Sequence, residues 1–206
     1  MGQRSQIYVK YETKGYVWDE KQKKRVYGPN GFDLIARYFG WNYGERMISR
    51  ARYTMEWLLG CLEFPSIIPE RCSKIMATNF DMIDILPTCD IIQEWKEFGE
   101  PNDFKEFVFL EQDNNDGQLY IEIKLDGTLK YAFTHPETEN KILSASEYMN
   151  TDDEGWENSE YITEEGKQKN RENMKWIEEN ATLMTDKELE DFRNYDYGYK
   201  QAEKTA

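Results

Sequence analysis

The residues that could do chemistry in this chain are few and poorly spaced for it. His135 is the sole histidine. A general base needs a nucleophile within hydrogen-bond reach, and no hydroxyl or thiol stands near His135 in a pattern that serves one. It reads instead as a structural or surface residue at a strand end. Cys61, Cys72 and Cys89 each sit among apolar residues, which predicts buried, reduced thiols, too scattered to share a zinc ion. The run Asp113-Asn114-Asn115-Asp116-Gly117 resembles half of a calcium loop. Gln112, however, occupies the place of the first ligand, five residues before the glycine. There is no glycine-rich phosphate loop and no nucleophile-elbow motif. With 40 Asp/Glu in the chain, carboxylate pairs at hydrolase spacing do not discriminate. The expectation is no catalytic residue, no metal and no organic cofactor.

Charge is the more informative chemistry. The 206 residues carry a net charge of -14, distributed unevenly. Residues 1–62 hold 11 Lys/Arg against 6 Asp/Glu, and residues 63–206 hold 15 against 34. The densest acidic stretch runs from Glu147 through Asp152, Asp153, Glu154, Glu157, Glu160 and Glu164 to Glu165, with no Lys or Arg. Tyr148, Trp156 and Tyr161 are interleaved with the acids. A purely solvating loop has no use for aromatics, whereas an interface uses them as anchors. The stretch is either a solvated loop held extended by its own charge or, as the aromatics suggest, the candidate partner-binding surface, with Trp156 or Tyr161 as its apolar anchor. Lys21, Lys23, Lys24 and Arg25 form a secondary, basic candidate. Arg46, Arg50 and Arg52 could in principle meet phosphate, but pairing with the acidic half is the simpler expectation. The simpler reading of residues 21–25 is the tip of a solvated ribbon. The overall charge repels nucleic acid at long range, so binding of it would have to be local, and direct nucleic-acid binding is not expected.

These residues need elements to position them. Ile7, Val9 and Tyr11 alternate with Gln6, Tyr8 and Lys10, a strand pattern. Residues 12–31 read as a β-hairpin arm with its tip at Asp19–Arg25 and turn chemistry at Gly28-Pro29-Asn30-Gly31. Phe32–Trp41 returns as a strand. Asn42 is placed to cap a helix carrying Ile48, Ala51, Met55 and Leu58 at helical spacing. Pro69 opens a second helix, and a short one is expected at Cys89–Phe98. A period-two meander follows: strands at Phe107–Gln112, Leu119–Leu125 and Leu129–Thr134, with hairpin turns at Asn114–Gly117 and Asp126-Gly127. Thr163 caps a further helix with Met174, Ile177 and Ala181 along its stripe. Thr185 and Glu188 form the capping box of the last helix, with Leu189 and Phe192 inward. The expected fold is α+β, an antiparallel sheet of the N-terminal strands and the meander, covered by helices. Residues 1–145 would form the core domain, and 146–206 an acidic linker with C-terminal helices. No apolar run approaches the roughly 20 residues of a membrane span.

The opening Gly2-Gln3-Arg4-Ser5-Gln6-Ile7, the β-arm, and Ala36-Arg37-Tyr38-Phe39-Gly40-Trp41-Asn42 leading into a helix resemble small proteins of phages and prophages of Gram-positive bacteria. The resemblance implies residence in the cytoplasm of an infected or lysogenic host. Small acidic phage proteins, anti-CRISPR proteins among them, often act by occupying a host protein's nucleic-acid site. This implies a non-enzymatic inhibitor of a basic, nucleic-acid-handling defence effector. The strand–strand–helix start is also similar to the layout of N-terminal-nucleophile hydrolases. Those enzymes act through a first-residue Cys, Ser or Thr, and here Met1-Gly2 precedes Ser5, so the similarity implies the layout rather than the activity. A phage accessory or assembly factor is the third expectation.

Overall fold

A computed structural model describes residues 4–40, 42–77, 115–151 and 155–197. Two long strands, β1 (Arg4–Asp19) and β2 (Lys24–Gly40), form an antiparallel hairpin. Helix α1 (Gly44–Gly60) follows, then a short turn of helix at Pro65–Ile67 and α2 (Ile68–Met76), which has proline in its first turn. The chain re-enters the sheet as β3 (Gln118–Ile123) and turns into β4 (Leu129–Thr134). Then come α3 (Ala145–Met149), α4 (Glu164–Asn180), the two-residue β5 (Thr182–Leu183) and α5 (Asp186–Asn194).

The fold class is α+β, but the sheet is mixed rather than antiparallel. Its order is β2-β1-β3-β4-β5. β3 lies beside β1 and runs parallel to it, with Gln6 opposite Gln118 and Tyr11 opposite Ile123. β5 is parallel to β4. The reason is connectivity. Parallel neighbours need a long crossover, usually helical. β4 and β5 are joined in that way, through α3 and α4. β3 is parallel to β1 because the excursion carrying α1 and α2 leaves β2 at the end of the sheet where β1 begins and re-enters on the far side of β1 at that same end. Hairpin links alone predict antiparallel pairing and miss this. The expected hairpin at Asn114–Gly117 is also corrected, because β1 and β4 occupy the two sides of β3. The expected strand at Phe107–Gln112 and helix at Cys89–Phe98 lie outside the described residues, as does Cys89.

Each face of the sheet is covered. Ile7, Val9, Tyr11, Leu119, Ile121 and Ile123 pack with Ile48, Ala51, Met55 and Leu58 of α1 and with Met174 and Ile177 of α4 in one core. The opposite face carries Tyr8, Leu34, Ala36, Tyr120 and Ala132 against Met184, Leu189 and Phe192. The α4 stripe lies inward as its spacing predicts, and the α5 capping box is formed. Burial of both faces explains why β1 is covered from Ser5 through Tyr11, although alternate positions are polar.

Two local expectations are revised. Residues 28–31 are not a turn. They continue β2, and the register shifts opposite Glu12–Lys14. Gly31 takes φ +90° there, a value that favours glycine, and the reversal itself falls at residues 20–23. Asn42 is not a cap, since Tyr43 holds that position. Asn42 is instead fully buried. Its amide donates to Ser5 Oγ at 2.7 Å, and its Oδ1 accepts from Arg50 Nη1 at 2.8 Å.

Candidate functional site

The N-terminus of α1, the end of β4, α3 and the turn at Trp156–Asn158 surround a cleft of about 920 Å³. Tyr43, Glu45, His135, Tyr148 and Tyr161 are among its lining residues. β4 ends in His135-Pro136, and His135 Nδ1 accepts from the backbone N–H of Glu137 at 3.3 Å. In the neutral ring this puts the proton on Nε2. Tyr148 stacks on Phe133 with centroids 4.8 Å apart and donates to the carbonyl of Asp116 at 2.7 Å. That closeness requires Gly117, whose φ is +85° and whose hypothetical Cβ would lie 2.3 Å from the Thr134 carbonyl. Glu45, in the first turn of α1, has its carboxyl pKa raised by burial, against the smaller pull of its backbone hydrogen bond and Arg46. The cleft is thus polar and aromatic, with one carboxyl shifted toward its neutral form.

The sequence-predicted acids do different things in the fold. Glu147 belongs to the capping box of α3. It accepts from the Ser144 N–H at 2.7 Å while its own N–H donates to Ser144 Oγ. Glu157 pairs with Arg171 and Glu164 with Lys167, each at 3.2 Å. Glu160 and Glu165 are exposed. Asp152, Asp153 and Glu154 lie outside the described residues. The aromatics divide as sharply. Trp156 is 9% exposed and belongs to the main core, with the Arg171 guanidinium 5.9 Å from its ring, so it is no surface anchor. Tyr161 is 99% exposed on the rim of the cleft.

Two of the helix arginines, Arg50 and Arg52, are likewise absorbed, while Arg46 lines the cleft. Arg50, only 1% exposed, donates to the Met76 carbonyl at 3.0 Å and lies over Phe39. Burial lowers its pKa to about 10. Arg52 pairs with Glu56 and lies over Tyr53 and Trp176. Neither presents a guanidinium to a phosphate.

Nucleophiles show the same inward turn. Cys61 and Cys72 are free, buried thiols. Burial raises both pKa values, that of Cys72 to about 12, which keeps them from the thiolate form. Ser5 is fully buried and donates to the Asn42 carbonyl at 2.7 Å. Among the described residues no group of three or more His, Cys, Asp or Glu could hold a metal. No helix among them is long and apolar enough to cross a membrane.

Two features escaped the sequence reading. The first is a polar network on the second face of the sheet. Tyr8 donates to Gln6, Tyr120 donates to Gln118 at 2.8 Å, and Arg193 donates to Tyr120 at 2.6 Å. Tyr8 and Tyr120 have raised pKa values, Tyr120 at about 12, because burial disfavours the phenolate. The signal was the Gln-x-Tyr repeated at 6–8 and 118–120, legible as a pair only once β1 and β3 are known to be neighbours. The second is the set of exposed aromatic rings on the predicted arm. β1 and β2 continue beyond the part of β1 that pairs with β3, and Tyr16, Trp18 and Tyr27 stand 71%, 55% and 64% exposed near Lys21, Lys23, Lys24 and Arg25.

No family model, no curated protein and no solved structure matches the chain. What the fold defines is the class: an α+β protein with a mixed five-stranded sheet covered on both faces.

Proposed function

We propose that the protein is a non-enzymatic, phage-type acidic protein that binds and inhibits a basic, nucleic-acid-handling host protein, as anti-CRISPR and other anti-defence inhibitors do. The observation that carries the reading is Tyr161, an almost wholly exposed ring on the cleft rim beside the exposed carboxylates of Glu160 and Glu165. An aromatic ring in that setting is the usual centre of a protein interface, with charge around it steering approach. Glu157 and Glu164 keep their negative charges but share them with Arg171 and Lys167. The steering charge therefore rests mainly on Glu160, Glu165 and the 152–154 triplet. The buried thiols and the enclosed Ser5 offer nothing to the alternative, a hydrolase on an N-terminal-nucleophile layout. An accessory or assembly role would recruit virion components instead.

The test begins with capture of partners from a Gram-positive host lysate at low and high salt, followed by binding kinetics with the purified partner. Glu160→Lys with Glu165→Lys should slow association and flatten its salt dependence. Tyr161→Ala should chiefly speed dissociation, by about 2 kcal/mol for a hot-spot residue. The partner's nucleic-acid activity should fall on addition of the wild-type protein and recover with Tyr161→Ala. A partner with no nucleic-acid function, or unchanged kinetics in both variants, overturns the proposal.

A further inference from the structure

We propose that the β1–β2 arm is a second binding surface, and that its ligand is single-stranded nucleic acid, the bases stacking on Trp18, Tyr16 and Tyr27 and the phosphates meeting the basic tip. This goes beyond the acidic docking surface and uses none of its residues.

The register fixes which side chains share a face. Tyr16 lies opposite Tyr27, Trp18 opposite Arg25, and Lys14 opposite Pro29. Side chains of directly opposed residues project to the same side of a ribbon, and so do every second residue along it. One face of the arm therefore carries three aromatic rings and two cations. The other carries Val17 with Val26 and Asp19 with Lys24. Tyr16 and Tyr27 meet edge to face at 5.2 Å, which holds the ribbon together and fixes the two rings. Trp18 has no such role: no ring or cation packs on its indole among the described residues, and it stands 55% exposed. An unpartnered indole on a ribbon with open edges is an aggregation hazard that proteins usually avoid. Its presence is accounted for by a ligand.

Charge identifies the ligand as an anion. Residues 12–31 hold five Lys/Arg against three Asp/Glu, in a chain of net charge -14. Asp19 is committed to shaping the tip. Its carboxylate accepts from the N–H groups of Lys21 and Gln22 and from the Gln22 side chain. Lys23 sits at φ +48°, a left-handed conformation that glycine or asparagine would adopt more readily. The fold therefore presents lysine where a turn would favour another residue. From Thr13 to Asp19 the arm extends roughly 20 Å at strand rise, more than twice the screening length of about 8 Å at physiological salt. The cations at its tip are thus screened from the charges at its base. Arginine or lysine beside flat aromatic rings matches the alternating phosphates and π-faces of a single strand, and strand-borne aromatics are a standard platform for unpaired bases. A duplex hides those base faces, and an acidic peptide has no succession of rings to stack.

The experiment is fluorescence anisotropy of a labelled homopyrimidine single strand with the purified full-length protein, at several salt concentrations. Binding is expected to weaken with salt. Trp18→Ala should weaken it at least about fivefold, the lower end of one base stack, and Trp18→Phe should restore most of the loss. Replacing Lys21, Lys23 and Arg25 by Ala should flatten the log–log salt slope by about 2. Tyr161→Ala should leave strand binding unchanged. Thermal melting of each variant checks that the fold is intact, as expected for exposed positions. Absence of binding at low salt, tighter binding to the matching duplex, or equal binding by Trp18→Ala would overturn the proposal. So would a wild-type dimer that Trp18→Ala dissociates, which would make this face a contact between copies, or an acidic protein that competes for it more tightly than the strand.

Discussion

The arm and the acidic stretch share a composition, aromatics set among charges, and the fold treats them in opposite ways. On the arm, Tyr16, Trp18 and Tyr27 remain in water because the ribbon extends past the segment of β1 that β3 flanks. In the acidic stretch, Trp156 is taken into the core and three of the five described acids, Glu147, Glu157 and Glu164, are tied to a cap or a cation. Only Tyr161 is left outside among the aromatics predicted as anchors. Whether an aromatic serves packing or recognition thus depends on what lies behind it, not on the charges around it.

That contrast can be broken most forcefully at Trp156. Trp156→Ala should lower unfolding free energy by about 3–5 kcal/mol, the range for truncating a buried large aromatic, measured by urea denaturation. A loss under 1 kcal/mol would mean that Trp156 is a surface residue after all, and that the two regions are alike.

The buried tyrosine network gives the next largest effect, because it is the polar counterpart of the exposed arm rings. Tyr120→Phe removes the hydroxyl that accepts from Arg193 and donates to Gln118. Leaving those partners short should reduce stability by about 1–3 kcal/mol, again by urea denaturation. A neutral result would mean that the network relaxes around its missing member.

A smaller effect comes from the ion pair that fastens α5 to the sheet. Glu188 is held at a pKa of about 2, first by the hydrogen bond from Lys130 and then by the Thr185 N–H. A carboxylate depressed on folding stabilises fully above its unfolded value of about 4.3 and loses that contribution as pH falls toward 2. The side chain is 37% exposed, so water screens the pair and the gain is at most about 1 kcal/mol. Glu188→Gln should be less stable than wild type at pH 7 and indistinguishable from it near pH 2, as read by melting across that window.

The smallest stability effects belong to the exposed rings. Tyr161→Ala and Trp18→Ala should each leave unfolding free energy within about 0.5 kcal/mol of wild type. A larger loss in either would show that the ring is a structural support and would remove its claim to a ligand.

Much of the fold was legible in the sequence because its signals are local. The Asp126-Gly127 turn, the strand at Leu129–Thr134, the Thr163 cap, the Thr185–Glu188 capping box and the apolar stripes of α1 and α4 depend on neighbours three or four residues away. Period and capping chemistry therefore determined the elements and their inward faces. The order of strands did not follow, since β1 and β3 meet across more than a hundred residues and a helical crossover. That meeting, with the parallel pairing of β5 on β4, turned an expected antiparallel sheet into a mixed one, and it joined Gln6 and Tyr8 to Gln118 and Tyr120. It also decided where β1 stops being a central strand and becomes an arm. Composition placed acids and aromatics together in two stretches. Only tertiary packing settled which rings stayed in water, because burial is a property of what the rest of the chain brings alongside.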